Sequence, residues 1–429
     1  MKRLIIGLVV CGLVFHILGI SSLAGVNVKQ IPLEETRYIT FGNWGGLEWD
    51  PATVQILEDW EKEHPAIKVR VVPVPDTMAN PKYMNMFLAR SDAIDVFNYD
   101  QALVNQFARA GWLEPVDDLF TEDLIADCSE GFLKCAKIGD HYWYSPHFTK
   151  IAIINYRTDL LAEAGYASPP ETWDELVEYG RKLTQDNDGD GVVDIWGFAY
   201  ASSPLETFYN FRSWVYMAGG DVFDEAGNPV FNSEIGLKAL QFLCDLRNDY
   251  KIVTPDVVVF EDEDAGMEFE RGHVAMVLTD GEKIFRAMES ELIKDVFNTT
   301  TVCTPERGMP PRAASKQCGH YMNVYSRKKE AVREFMRFFF RIQSQKHELI
   351  IEHNMPVRPS TFADPEVRKK VPNWKDLQRT LRYAQAYSYT AQSTLRDISA
   401  KWIGNALLGK ISVQEALDNM EKDFREVLF

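Results

Sequence analysis

The sequence has none of the common signatures of nucleotide- or metal-dependent catalysis. There is no Gly-x-Ser-x-Gly, no His-Glu-x-x-His and no P-loop sequence. No two of the six cysteines stand two to four residues apart, so zinc-type ligand spacing is absent. Basic residues are outnumbered, 46 Lys and Arg against 63 Asp and Glu, giving a formal charge of −17. Such a surface repels nucleic acid and anionic membranes. There is no internal repeat, no low-complexity tract, no Pro/Ser-rich linker, and no apolar segment of membrane length after the N-terminus.

The N-terminus is distinctive. Met1-Lys2-Arg3 precedes an apolar run to about Leu18, and Ser22-Leu23-Ala24 places small residues before Gly25. This pattern is that of a cleaved secretory signal over 1–24, with Cys11 too early in the run to take a lipid. The expected product is a soluble protein in the periplasm or another extracytoplasmic space, with a charge of −19 once Lys2 and Arg3 are gone. Its roughly 400 residues suit two domains. A hydrophobic content of 46% with 12% aromatics indicates a folded chain. In an oxidising compartment Cys128 with Cys135, and Cys303 with Cys318, are expected as short-loop disulfides, whereas Cys244 reads as a buried thiol.

Periodicity outlines an α/β protein. Tyr38 to Phe41 reads as a strand. Asp50-Pro51 then caps a helix bearing Val54, Leu57 and Trp60, and Ile67, Val69 and Val71 alternate as a second strand. This β-α-β opening suggests a largely parallel sheet covered by helices. Ile94 to Tyr99 and Lys150 to Tyr156 read as further strands. Thr172-Trp-Asp-Glu175 is a capping box opening a helix to about Thr184, and Phe231 to Asp249 and Glu330 to about Ser344 are further helices. Ser412-Val-Gln-Glu415 opens a terminal helix with Leu417, Met420, Phe424 and Val427 on one face. Two domains without a flexible linker imply that the chain crosses between them more than once.

Seven segments in order resemble the family 1 extracellular solute-binding proteins, the group that includes maltose-binding protein. They are Gly42-Asn43-Trp44; Phe107-Ala-Arg-Ala-Gly-Trp-Leu-Glu-Pro-Val-Asp-Asp118; Tyr142-Trp-Tyr-Ser-Pro146 through Asn155-Tyr-Arg-Thr-Asp-Leu160; Ala162-Glu-Ala-Gly-Tyr166 with Pro169-Pro-Glu-Thr-Trp-Asp-Glu-Leu176; Met217-Ala-Gly-Gly220 with Phe231-Asn-Ser; Phe269-Glu-Arg-Gly-His-Val-Ala-Met276; and Asn354-Met-Pro-Val-Arg358. The resemblance implies a two-lobed class II periplasmic-binding-protein fold, each lobe a mostly parallel sheet flanked by helices. Residues 25–147 with 320–356 would form one lobe, and 148–319 with 357–429 the other. Three crossings are implied near 147–151, 316–320 and 355–360. The implied function is non-catalytic capture of a carbohydrate in the interlobe cleft by hinge closure, as a monomer serving the permease subunits of an ABC importer. No cofactor is required. The alternatives are a receptor of the same fold for a polyamine, glycerol phosphate or peptide, and a secreted glycoside hydrolase using acids such as Asp280 and Glu282.

Candidate ligand residues follow from position. Asn43 and Trp44, and Asn98, Tyr99 and Asp100, leave strand ends, where open parallel sheets bind ligands. His147, Phe148 and Lys150 occupy the first implied crossing, Gly319 and His320 the second, and Arg358 the third. Lys150 stands where the family often has an acid, so it implies either an acidic sugar or a local ion pair. Trp214 and Tyr216 precede Gly219-Gly220, where the family often places an aromatic platform; helix core is the alternative. Asp280 and Glu282 follow Met276 as carboxylates able to bind hydroxyls in pairs. Arg358 reads as a ligand contact or an interlobe ion pair. Separately, Asp186, Asp188, Asp190, Val192 and Asp194 match an EF-hand-like loop for structural Ca²⁺, but position twelve is Gly197 instead of the bidentate Glu. A solvated acidic turn is the alternative.

Overall fold

The computed structural model describes residues 37–47, 50–224, 226–371, 373–386 and 392–429. The expected signal segment, its Ser22-Leu23-Ala24 cleavage site and Cys11 lie outside the described residues. The strands are β1 (Arg37–Trp44), β2 (Ile67–Val74), β3 (Val96–Asp100), β4 (Lys137–Ile138), β5 (His141–Tyr142), β6 (Tyr144–Arg157), β7 (Ala199–Tyr200), β8 (Met276–Asp280), β9 (Phe297–Thr300), β10 (Ser315–Met322) and β11 (Met355–Pro356).

The first lobe begins as the sequence suggests. Asp50 caps the helix Pro51–Glu63, accepting from Thr53 N, with Pro51 in the first turn. Ile56 and Trp60 turn inward, and the Trp60 indole donates to Ile67 O at 3.0 Å, fastening the helix to β2. β1 pairs in parallel with β2 and β3. β10 then runs antiparallel between β3 and β6. Phe41, Phe97, Phe107, Tyr321, Phe335 and Phe339 fill this core. Each such buried ring contributes roughly 1.5–3 kcal/mol of apolar burial.

β6 does not end with the first lobe. Beyond Ile151 its partners become β8 and β9, both antiparallel, and β7 adds to β8 in parallel. A second core lies here, with Trp173, Phe198, Trp214, Phe242 and Phe424 at its centre. The molecule is therefore a two-lobed α/β fold in which the crossing strands add antiparallel pairs to each parallel set. At the junction β6 lies between β10 and β11: Phe148 is opposite both Cys318 and Pro356, and Thr149 is opposite Gln317 and Met355. The helices Gln392–Leu407 and Val413–Leu428 return to the second core through Leu395, Leu417, Met420 and Phe424, while Val427, expected on the same face, is exposed.

Two expectations change. The helix expected over Glu330 to Ser344 is split into Lys329–Phe339 and Ile342–His347, because Arg341 takes an extended conformation and binds Glu63 through both terminal nitrogens. The expected disulfides are absent: Cys128, Cys135, Cys244, Cys303 and Cys318 are all thiols. Packing separates Cys303 from Cys318. Cys303 is in the second core and donates to Pro170 O, whereas Cys318 is on β10 against β3 and β6. Cys135 is buried in the helix Glu130–Ala136, while Cys128 lies outside that helix, partly exposed. Burial pushes the Cys128, Cys135 and Cys244 thiols up to about 12, so none supplies a thiolate near neutrality. No helix among the described residues is long and apolar enough to cross a membrane.

Candidate functional site

The register of four strands builds a continuous floor from one lobe to the other. Asp100 at the end of β3 faces Cys318 on β10; two residues along, Lys316 faces Lys150 on β6; and two residues beyond that, Ala152 faces Asp280 at the end of β8. Strand alternation sends Phe148 and Lys150 toward partly open space and leaves His147, Thr149 and Ile151 buried.

On the first lobe, β1 and β3 end side by side. The Trp44 amide donates to Asn98 Oδ1 at 2.7 Å, and the Trp44 and Tyr99 rings meet at 5.1 Å and 59°. Both rings are half-buried. Asn43 is fully buried and donates through Nδ2 to Asp50 Oδ2 at 3.1 Å.

On the second lobe, charge dominates. Tyr209 Oη donates to Asp280 Oδ1 at 2.9 Å and lies 3.2 Å from Ala314 O. Lys316 Nζ lies 3.5 Å from Asp280 Oδ2, 3.2 Å from Glu206 Oε2 and 4.1 Å from the centre of the Tyr209 ring. Lys150 pairs with Glu282 at 2.8 Å, and Lys283 reaches Glu282 at 3.2 Å and Glu263 at 2.6 Å. The Asp280 amide donates to Asp262 Oδ1 at 3.1 Å. Burial alone would raise the Asp280 carboxyl, but Lys316, Lys150 and the Tyr209 hydroxyl hold it below the usual range. Asp262 is pushed up to about 7, by burial first and the Asp280 charge second.

Of the residues singled out from sequence, Asn43, Trp44, Asn98, Tyr99, Asp100, Phe148, Lys150, Asp280 and Glu282 gather along this floor. Six others do not. His147 and His320 lie beneath it, wholly buried against Phe339, with His147 Nε2 at 2.6 Å from Glu348 Oε1. Gly319 sits under the Tyr144 ring, where a Cβ would fall 2.0 Å from Cδ2, so the residue serves close packing. Trp214 is core, edge-on to Trp173 and donating to Asn210 Oδ1. Tyr216 is buried with the Arg312 guanidinium 5.5 Å from its ring centre. Arg358 is held by Asp127 at 2.8 Å and by Phe340 O.

The sequence reading missed Glu206, Tyr209, Asp262 and Lys316. The helix Thr207–Met217 buries every residue except Tyr209, so Tyr209 is the ring it presents to the floor. That helix begins just after β7, so the strand-end argument applied to β1 and β3 also points to Glu206 and Tyr209.

In the acidic loop, Asp186, Asp188 and Asp194 each offer a carboxylate oxygen within 4.8 Å of the others, all exposed. Asp190 and Val192 stand outside this group: Asp190 Oδ1 accepts from Val192 N at 2.7 Å, and the Val192 side chain is exposed. The oxygens that form the cluster also accept Gly189, Gly191 and Asn187 amides, which shape the loop.

A sequence profile described as bacterial extracellular solute-binding protein matches residues 46–346. A probable ABC transporter-binding protein of Deinococcus radiodurans is 23% identical over 283 residues, covering 64% of this chain and 66% of the relative. The chain spans between 43% and 66% of the length of the first curated relatives it matches. Among solved structures, the maltose-bound MalE3 of T. maritima is 25% identical with a TM-score of 0.74, covering 91% of this chain and all of that one. The sugar-binding protein MalE of Xanthomonas citri has a TM-score of 0.80 at 20% identity, covering 91% and 97%, a likeness of fold.

The raised Asp262 carboxyl has a measurable consequence. An unfolded aspartate titrates near ~3.9, so between about 4 and about 7 the folded state holds the extra proton and stability falls as pH rises. Asp262→Asn removes that loss. Urea unfolding at pH 5 and pH 8 should show the variant gaining on the parent at pH 8 by a few kcal/mol at most, since each tenfold change in proton affinity is worth about 1.4 kcal/mol. An equal difference at both pH values would contradict the assignment.

Proposed function

Since the chain belongs to the bacterial extracellular solute-binding protein family, we propose that it captures a carbohydrate between its lobes outside the cytoplasm and presents it, unaltered, to the permease of an ABC importer. The observation that carries this reading is the pairing of unlike surfaces around one floor. Trp44 and Tyr99 offer ring faces from the first lobe, and Asp280, Glu206 and Asp262 offer fixed acceptors from the second. Sugars need both, because their C–H faces are apolar and their edges carry hydroxyl donors. The maltose in the T. maritima structure is of the same chemistry.

The lobes in this reading are residues 25–147 with 320–356 and 148–319 with 357–429, closing as rigid bodies about the junction of β6, β10 and β11. Lys150 is satisfied by Glu282, Lys283 by Glu263, and Lys316 by Asp280 and Glu206, which supports a binding floor over a pair of hydrolytic carboxyls. Ca²⁺ held by Asp186, Asp188 and Asp194 is part of the proposal as a stabiliser of the loop. With exposed ligands and Gly197 in place of the bidentate acid, it should bind weakly, with Kd on the order of 10⁻⁴ to 10⁻³ M. Calorimetry of chelator-treated protein should detect it; a flat titration with CaCl₂ at millimolar concentration counts against the site.

The receptor reading is tested with a thermal-shift panel of neutral mono- and oligosaccharides. A bound sugar at one hundred times its Kd should stabilise the fold by roughly 2.7 kcal/mol. Trp44→Ala should weaken that sugar roughly tenfold, since it removes a stacking face worth ~0.5–1.5 kcal/mol beyond its buried area. A panel in which no sugar raises the melting temperature argues against a carbohydrate receptor.

A further inference from the structure

One corner of the floor holds more negative charge than its neighbours offset. Asp50 caps its helix with Oδ1 on Thr53 N at 2.9 Å and takes the Asn43 amide on Oδ2. Glu352, at the end of the turn Glu348–Glu352, accepts the Ala52 backbone N–H, so it converges on the same first helical turn. Glu348 from that turn and Glu282 from the second lobe add their fields to Glu352. The cations nearby are engaged: His147 by Glu348 at 2.6 Å, and Lys150 by Glu282 at 2.8 Å. His353, beside Glu352, stacks on Phe285 at 4.1 Å, and burial lowers its imidazole, which favours the neutral form.

Asn43 supplies an independent sign. It is fully buried, and its amide is fixed against Asp50 through Nδ2, yet its Oδ1 has no donor among the described residues. An unpaired buried acceptor costs about 1–3 kcal/mol. Among the described residues, the corner thus lacks both an unengaged positive charge and a donor for Asn43 Oδ1.

We propose that the solute carries an ammonium group received by Asp50 and Glu352 with the Asn43 carbonyl behind them, which makes the ligand class an aminated sugar. This rests on the carbohydrate reading above and names its chemistry. An ammonium has three donors and no acceptor, matching three acceptor groups at one point. A hydroxyl offers one donor and leaves the charge excess in place. A uronate meets the Asp50 and Glu352 carboxyls, and the nearby Lys150 is already neutralised by Glu282, so an acidic sugar is rejected. Consistent with the geometry, burial, then the Asp50 charge, push Glu352 up to about 7, so below that pH the free site holds a proton that the ammonium displaces.

The test uses purified protein freed of retained solute. Calorimetry at pH 6, where the amines are ammonium and Glu352 holds its proton, compares matched pairs, namely glucosamine with glucose, galactosamine with galactose, mannosamine with mannose, and chitosan oligomers with cello-oligomers, alongside the uronic acids. In at least one pair the amine should bind tenfold or more tighter than its neutral partner. Its heat should vary with buffer ionisation enthalpy, reporting proton release. Glu352→Gln should reduce the ratio of the two affinities to threefold or less. A neutral sugar or uronate binding as tightly as its amine, a preference unchanged in Glu352→Gln, or amine binding without proton release overturns the inference and leaves the receptor reading standing. Failure of every sugar in the panel overturns the carbohydrate reading, and this inference with it.

Discussion

Fourteen consecutive residues, Tyr144–Arg157, hydrogen-bond to strands of two different cores, and the geometry of the site follows from that shared strand. A strand has a side-chain period of two, so moving its register by one residue would exchange every face. As paired, Phe148 and Lys150 meet the cleft while His147, Thr149 and Ile151 are buried. The same strand brings Lys316 beside Lys150 and carries the chain on to Asp280. With β10 antiparallel to it and β11 touching it over two residues, the junction is narrow, whereas each lobe has its own packed interior. Such an arrangement bends at the junction more readily than within either body.

The floor built on this strand is electrostatically unequal. The second lobe offsets most of its carboxylates with Lys150, Lys283 and Lys316, fixing acceptors in place without leaving them unbalanced. Where burial and a neighbouring acid outweigh the cations, the carboxyl is pushed up instead, as at Asp262 and Glu352. Fixed charges in a partly dry cleft discriminate between ligands more sharply than apolar area does, because a wrong charge is left unpaired after closure. The first lobe contributes area and shape through Trp44 and Tyr99.

Much of this organisation was legible in the amino-acid sequence. The Asp50-Pro51 and Thr172-to-Glu175 signals are local, and both form the caps they spell. The ordered motifs located the crossing strands, and strand ends located Trp44, Asn98 and Tyr99. The misreadings concern side-chain direction and tertiary partners, which spacing does not encode. In the helix Thr207–Met217 almost every position is apolar or buried, so no amphipathic stripe separated Trp214 from Tyr209. His147 and Phe148 are adjacent, and only pairing with β10 decides which faces the cleft. For Arg358 the ion-pair alternative is the one realised, with Asp127 at a sequence separation of 231 residues, and Lys316 is offset by Asp280 and Glu206 from other elements. The cysteines misled because nearness in sequence says little about nearness in a core.

The central claim is mechanical: two bodies joined by β6, β10 and β11 close around a solute. Small-angle X-ray scattering of the purified protein, with and without a saturating sugar, tests it most directly. The account predicts a smaller radius of gyration in the bound state, with the secondary structure unchanged. Saturable binding with an unaltered radius of gyration would contradict it.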